Sequence, residues 1–79
     1  MSPTVFRHGV YRFFFFSREE PRIHVHVYAP HAEAKFWIEP EITLAQNHGL
    51  TLRQLRILRR VILEREDEIR RAWRAHFKG

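Results

Sequence analysis

His24 and His26 are the residues whose type and spacing most invite chemistry, two of six histidines in a chain of 79 residues. At positions i and i+2 of an extended segment their rings leave the same face. There either can serve as a general base beside Lys35 and Glu39, for example in RNA cleavage. With His31 a short turn away and Glu33 as a carboxylate, the same pair offers the ligand types of a zinc site. H-x-H pairs are common on plain strands, however, and no HExxH or CxxC accompanies this one. We therefore assign no metal and no cofactor, and keep His24, His26 and Lys35 as catalytic candidates without a reaction. His8 and His31 read as turn residues, His48 as a helix-approach residue and His76 as a helix-surface one.

Other chemistries are excluded more firmly. There is no glycine-rich phosphate loop, no nucleophile elbow and no paired-carboxylate site, and neither of the two serines, Ser2 and Ser17, has a base placed by spacing. The chain has no cysteine, which removes disulfides and thiolate metal ligation.

Charge points outward. Fourteen Lys and Arg stand against nine Asp and Glu, a formal charge of +5, which raises the odds of a polyanionic or acidic partner. Much of the excess lies near the C-terminus, at Arg53, Arg56, Arg59, Arg60, Arg70, Arg71, Arg74 and Lys78. These cluster on a helical wheel opposite Leu55, Leu58, Ile62 and Ile69. Such a cluster reads first as a solvated face and second as a phosphate-binding or acidic-partner flank. Glu66 and Arg70, and Asp67 and Arg71, are acid-first i,i+4 pairs, each contributing a few tenths of a kcal/mol.

The elements that would position these groups are short. Val5-Phe6-Arg7 and the run from Val10 to Phe16 flank His8-Gly9, the spacing of a tight hairpin. Ser17 to Pro21 is polar and reads as a loop. Arg22 to Tyr28 alternates strictly between apolar and polar, as a half-buried strand does. Ala29-Pro30-His31 turns, and Glu33 to Glu39 alternates again until Pro40. Ile42 to Ala45 is a further short strand or a packed connector. Thr51 and Gln54 form a capping box, with Leu50 and Leu55 spaced as a hydrophobic staple, and open a helix. Running from Leu52 to about Phe77 it would be roughly 39 Å long at 1.5 Å per residue. It must then overhang its sheet or kink near Glu66, where the apolar stripe breaks. An overhang would need covering, most simply by a second copy.

The expected fold is α+β: a three- to four-stranded antiparallel meander (residues 3–45) and one long C-terminal helix (residues 51–78) packed on one face, in a single domain over residues 1–79. Ile23, Val25, Val27, Ala34, Phe36 and Ile38 should lie under the helix. The second strand is apolar on both sides, with Tyr11, Phe13 and Phe15 opposite Arg12, Phe14 and Phe16, so both sides should be covered. The helix covers one. The other, carrying Arg12, Phe14, Phe16, His24, His26, Tyr28, Lys35, Trp37 and Glu39, is left bare by a lone chain. An aromatic-rich bare face reads first as a homodimer or partner-protein interface. It reads next as a nucleic-acid platform, and third as a catalytic face. The longest apolar run, Phe13 to Phe16, is far short of the roughly 18–20 residues that span a bilayer. Met1 to Phe6 lacks a signal-peptide run. A cytoplasmic protein that does not enter membranes is expected.

Pro3-Thr4-Val5, Tyr11 to Phe15, Ile23-His24-Val25, Ala34-Lys35-Phe36-Trp37, Asn47-x-Gly49 and Trp73-x-x-x-Phe77, in this order and spacing, resemble the small prokaryotic domain of unknown function 4160 over nearly the whole chain. Where that family usually shows a histidine before the isoleucine, this chain has Arg22, which counts against a catalytic role there. The basic helix also departs from more acidic relatives. The resemblance implies no settled activity. It implies a place in toxin–antitoxin-like gene pairs, hence a small protein partner and a link to nucleic acid.

The leading expectation is thus a non-enzymatic protein-interaction module in a toxin–antitoxin-like pair, forming a homodimer or binding a small partner protein. Its expected binding residues are Arg12, Phe14, Phe16, Tyr28, Lys35, Trp37, Arg53, Arg56 and Arg60. The alternatives are RNA binding through the aromatic and basic face, or a small histidine-dependent ribonuclease toxin.

Overall fold

The computed structural model describes residues 4–16 and 21–77; all but Pro21 of the loop expected at Ser17 to Pro21, and Lys78, lie outside the described residues. Five strands follow in order, β1 (Thr4–His8), β2 (Tyr11–Phe14), β3 (His24–Ala29), β4 (Ala32–Trp37) and β5 (Thr43–His48), then α1 (Leu52–Glu64) and α2 (Glu66–His76). The strands form one antiparallel sheet in the order β1-β2-β3-β4-β5. The meander is therefore five strands rather than three or four, because the Ile42 to Ala45 segment continues as a strand to His48. His48 ends that strand instead of approaching the helix as a coil residue.

The turns obey local rules. His8 pairs with Tyr11, so the two-residue hairpin loop is Gly9-Val10, one position later than the spacing of His8-Gly9 suggests. Gly9 supplies the positive φ (+59°) that such a turn needs. The β3–β4 loop is Pro30-His31, between the paired Ala29 and Ala32. Beyond β5 the side chain of Asn47 holds Leu50 from both sides: its Nδ2 donates to the Leu50 carbonyl and its Oδ1 accepts from the Leu50 N–H, each at 3.0 Å. Gly49 sits inside that turn with φ +97°, its backbone so close to His31 that a Cβ would meet the His31 carbonyl oxygen at 2.9 Å.

The capping box forms as the sequence requires. Gln54 N–H donates to Thr51 Oγ1 at 3.1 Å, and Thr51 N–H donates to Gln54 Oε1 at 2.9 Å. The single long helix does not form. It breaks at Arg65 (φ −116°, ψ 23°), whose N–H is shared between the Val61 and Ile62 carbonyls. The Arg65 guanidinium lies 4.1 Å from the Phe6 ring centroid, and its Nε stands 3.2 Å from Glu68 Oε1. The break returns α2 to the sheet, and Arg70 ties it there. Arg70 donates from Nε to Glu66 Oε2 at 2.8 Å and from Nη1 to Glu39 Oε1 at 2.8 Å. Those two carboxylates hold the guanidinium still more firmly in its charged form. Glu39 thus turns toward α2 and does not join the outer face of the sheet.

Phe6, Phe13, Phe15, Val25, Val27, Phe36, Ile38, Leu58, Ile62, Ile69 and Trp73 make one continuous core between one face of the sheet and the two helices. The alternation read from the sequence is realised: Val25 pairs with Phe36 and Val27 with Ala34 on the core side, while His26 pairs with Lys35 and Tyr28 with Glu33 on the other. Among the described residues no helix is long and apolar enough to cross a membrane.

Candidate functional site

The outer face of the sheet is built by register. Phe14 pairs with His26, His26 with Lys35, and Lys35 with Gln46. One step along, Arg12 pairs with Tyr28, Tyr28 with Glu33, and Glu33 with His48. Antiparallel partners share a face, so these two rows form a patch across four strands. A β-bulge between Lys35 and Phe36 sets Gln46 and His48 on that face.

Phe14, although on the outer side, is only 7% exposed. Its own neighbours cover it: the Arg12 guanidinium lies 4.6 Å from its ring centroid, the His26 ring stacks at 5.4 Å and Phe16 meets it edge-on at 5.3 Å. Part of the cover that a lone chain was expected to lack is therefore supplied within the chain. What remains open is Phe16, 46% exposed, and Tyr28, 52% exposed. Beside Phe16 lies a concavity of about 100 Å³ lined by Phe14, Phe16, His26, Lys35, Gln46 and His48. A second, of about 280 Å³, adjoins it along Tyr28, His31, Glu33 and His48.

The sequence-predicted residues divide into three groups. Phe14, Phe16, His26 and Lys35 come together around the concavity, with Arg12 packed against Phe14 and Tyr28 lining the adjoining hollow. Trp37 sits at the far end of the face, its ring 4.1 Å from the Arg22 guanidinium and 4.3 Å from the Lys35 ammonium. Arg53, Arg56 and Arg60 lie on α1, which packs on the opposite face of the sheet, so they do not belong to this patch.

His24 is the main departure. Its backbone belongs to the outer row, opposite Trp37, yet it is 0% exposed. The ring is enclosed between Trp37, at 5.4 Å, and Trp73 of α2, at 5.2 Å, where α2 reaches the end of the sheet. Its Nδ1–H donates to the Arg22 carbonyl at 2.7 Å. That arrangement orients a packed imidazole and gives a macromolecular substrate no surface on which to reach it. His26 is half-buried and lies at the concavity. Among the described residues no three His, Asp or Glu side chains are grouped to hold a metal ion.

Sequence reasoning missed Arg22, Glu33, Gln46 and His48 as members of the face. The last two were legible only in the alternation Gln46, His48, which the shortened fifth strand cut off. Arg22 heads the alternating run on the same side as His24 and His26, and its place over Trp37 is held by its Nε donating to the Glu39 carbonyl at 2.7 Å.

A family model described as a domain of unknown function, DUF4160, matches residues 11–74, from the start of β2 to within α2. The chain belongs to the DUF4160 family. The match takes in the outer-face rows on β2 to β5, the Asn47–Leu50 turn, all of α1 and most of α2. No curated protein and no solved structure matches the chain.

Proposed function

We propose that this DUF4160 member is a non-enzymatic interaction module whose outer sheet face seats a partner protein, as one component of a toxin–antitoxin-like pair, the setting its family resemblance implies. The observation that carries this reading is the pair Phe16 and Tyr28, each about half exposed and each lining one of two neighbouring concavities of the outer face that are built from strand and loop residues alone. Solvent-exposed aromatics beside a hollow, with the Arg12 guanidinium packed on the neighbouring Phe14, match the aromatic and arginine enrichment of interface anchors.

The ring geometry favours protein over bases. A stacking platform for single-stranded nucleic acid needs open ring faces. Here Arg12 lies against Phe14, and Arg22 and Lys35 lie against Trp37. The chain's own +5 charge disfavours a second copy and favours a partner with an acidic rim and an apolar knob for the hollow. The enclosure of His24 weighs against a histidine-pair ribonuclease.

The test is to isolate the protein with its bound material and to repeat the isolation with Phe16→Ala/Tyr28→Ala. The reading requires a stoichiometric polypeptide with the parent chain and its loss with the double variant. A chain that sediments strictly as a monomer, alone, contradicts it.

A further inference from the structure

The two consecutive helices handle charge in opposite ways. α2 follows its own dipole: Glu66, Asp67 and Glu68 occupy its first turn, and Arg74 and His76 its last. α1 runs against its dipole, with no acid in its first turn and no base in its last. Arg53 stands in that first turn, where the helix end repels a cation, and the only acid of α1, Glu64, stands at the C-terminal end. Charges that a helix tolerates against its own field point to a demand from outside it.

Geometry concentrates that demand. Arg53, Arg56, Arg59 and Arg60 are all exposed. Among the described residues, no carboxylate is within ion-pair distance of any of them, in contrast to Arg65 and Arg70. At about 100° per residue, Arg53, Arg56 and Arg60 fall within about 60° of arc, opposite the buried Leu58, Val61 and Ile62. They span about 10 Å along the helix axis. A nucleic-acid duplex presents about six phosphates over that length. Planar guanidinium groups are suited to phosphate oxygens.

We propose that the exposed stripe of α1 is a sequence-independent binding site for the phosphate backbone of double-helical nucleic acid, on the side of the molecule opposite the sheet face. Exposed Leu52, Ile57 and Leu63 border the stripe; an acidic polypeptide is the competitor that would use them, and the test separates the two.

The probe is a 24-base-pair DNA of arbitrary sequence, titrated with the full chain at several salt concentrations. Three to four phosphate contacts predict that affinity falls by about 40- to 150-fold between about 50 and about 200 mM salt. Arg53→Gln/Arg56→Gln/Arg60→Gln should flatten that fall to about 4-fold. Arg7→Gln/Arg71→Gln/Arg74→Gln removes the same charge from elsewhere and should leave most of it. Equal losses in the two triple variants would make binding a matter of net charge and overturn the site. So would absence of binding at low salt, or poly-glutamate displacing the DNA from the stripe at equal charge. Circular dichroism of each variant verifies that the helix persists, and none of these outcomes bears on the sheet face.

Discussion

His24 and Trp73 meet with ring centroids 5.2 Å apart, joining the first residue of β3 to α2. This contact makes His24 part of the framework. His24→Ala should destabilise the fold by about 2–4 kcal/mol, from the cavity it opens and the hydrogen bond it loses. His26→Ala, at a half-buried position on the outer face, should cost about 1 kcal/mol. Urea unfolding of the two variants checks the order, and a larger cost for His26→Ala would reverse the assignment.

Phe14 and Phe16, two residues apart on one face, should separate stability from binding. Phe14→Ala removes a ring that is 7% exposed and should cost about 3 kcal/mol. Phe16→Ala, at 46% exposure, should cost about 1 kcal/mol or less and still abolish retention of the partner. Unfolding midpoints alongside co-isolation test both halves of the statement.

Arg53 offers the opposite pairing of effects. Arg53→Glu places an acid in the first turn of α1 and should raise stability by about 0.5 kcal/mol at low salt, the gain fading as salt rises. The same substitution should weaken duplex DNA binding. A thermal melt and a DNA titration on one variant read both signs.

The Arg70–Glu39 bridge spans β4's exit and α2. Because Glu39 is 47% exposed, a double-mutant cycle of Arg70→Gln and Glu39→Gln should return about 0.3–1 kcal/mol and no more. Arg70 is held above its ordinary value, so its contribution is complete below that value and is lost only as pH climbs through the raised one. The Arg70 contribution should therefore be flat across neutral pH, as the same cycle at pH 6 and pH 9 will measure.

Where the sequence was legible, a single local rule decided the outcome. The Thr51–Gln54 box and the alternation from Ile23 to Ile38 each have one structural solution, and the chain adopts it. Where two effects competed, the pattern was silent. The lapse of the apolar stripe at Glu66 leaves an overhanging helix and a kinked one both open, and the break falls at Arg65, held by Phe6 and Glu68. Alternation assigns His24 to the outer face, but α2 closes over that end of the sheet, and only the tertiary path of Trp73 reveals it. The bulge beside Lys35 places Gln46 and His48 on the outer face, and nothing in Leu44-Ala45-Gln46 announces it.

The central claim is that Phe16 and Tyr28 anchor a partner protein. Hydroxyl-radical footprinting of the chain, alone and in the complex isolated from its native cells, addresses it most directly. The account predicts that oxidation of Phe16 and Tyr28 falls several-fold in the complex while that of Ile57 and Leu63 on α1 stays level. Undiminished oxidation of Phe16 and Tyr28 in a complex of defined stoichiometry would contradict it.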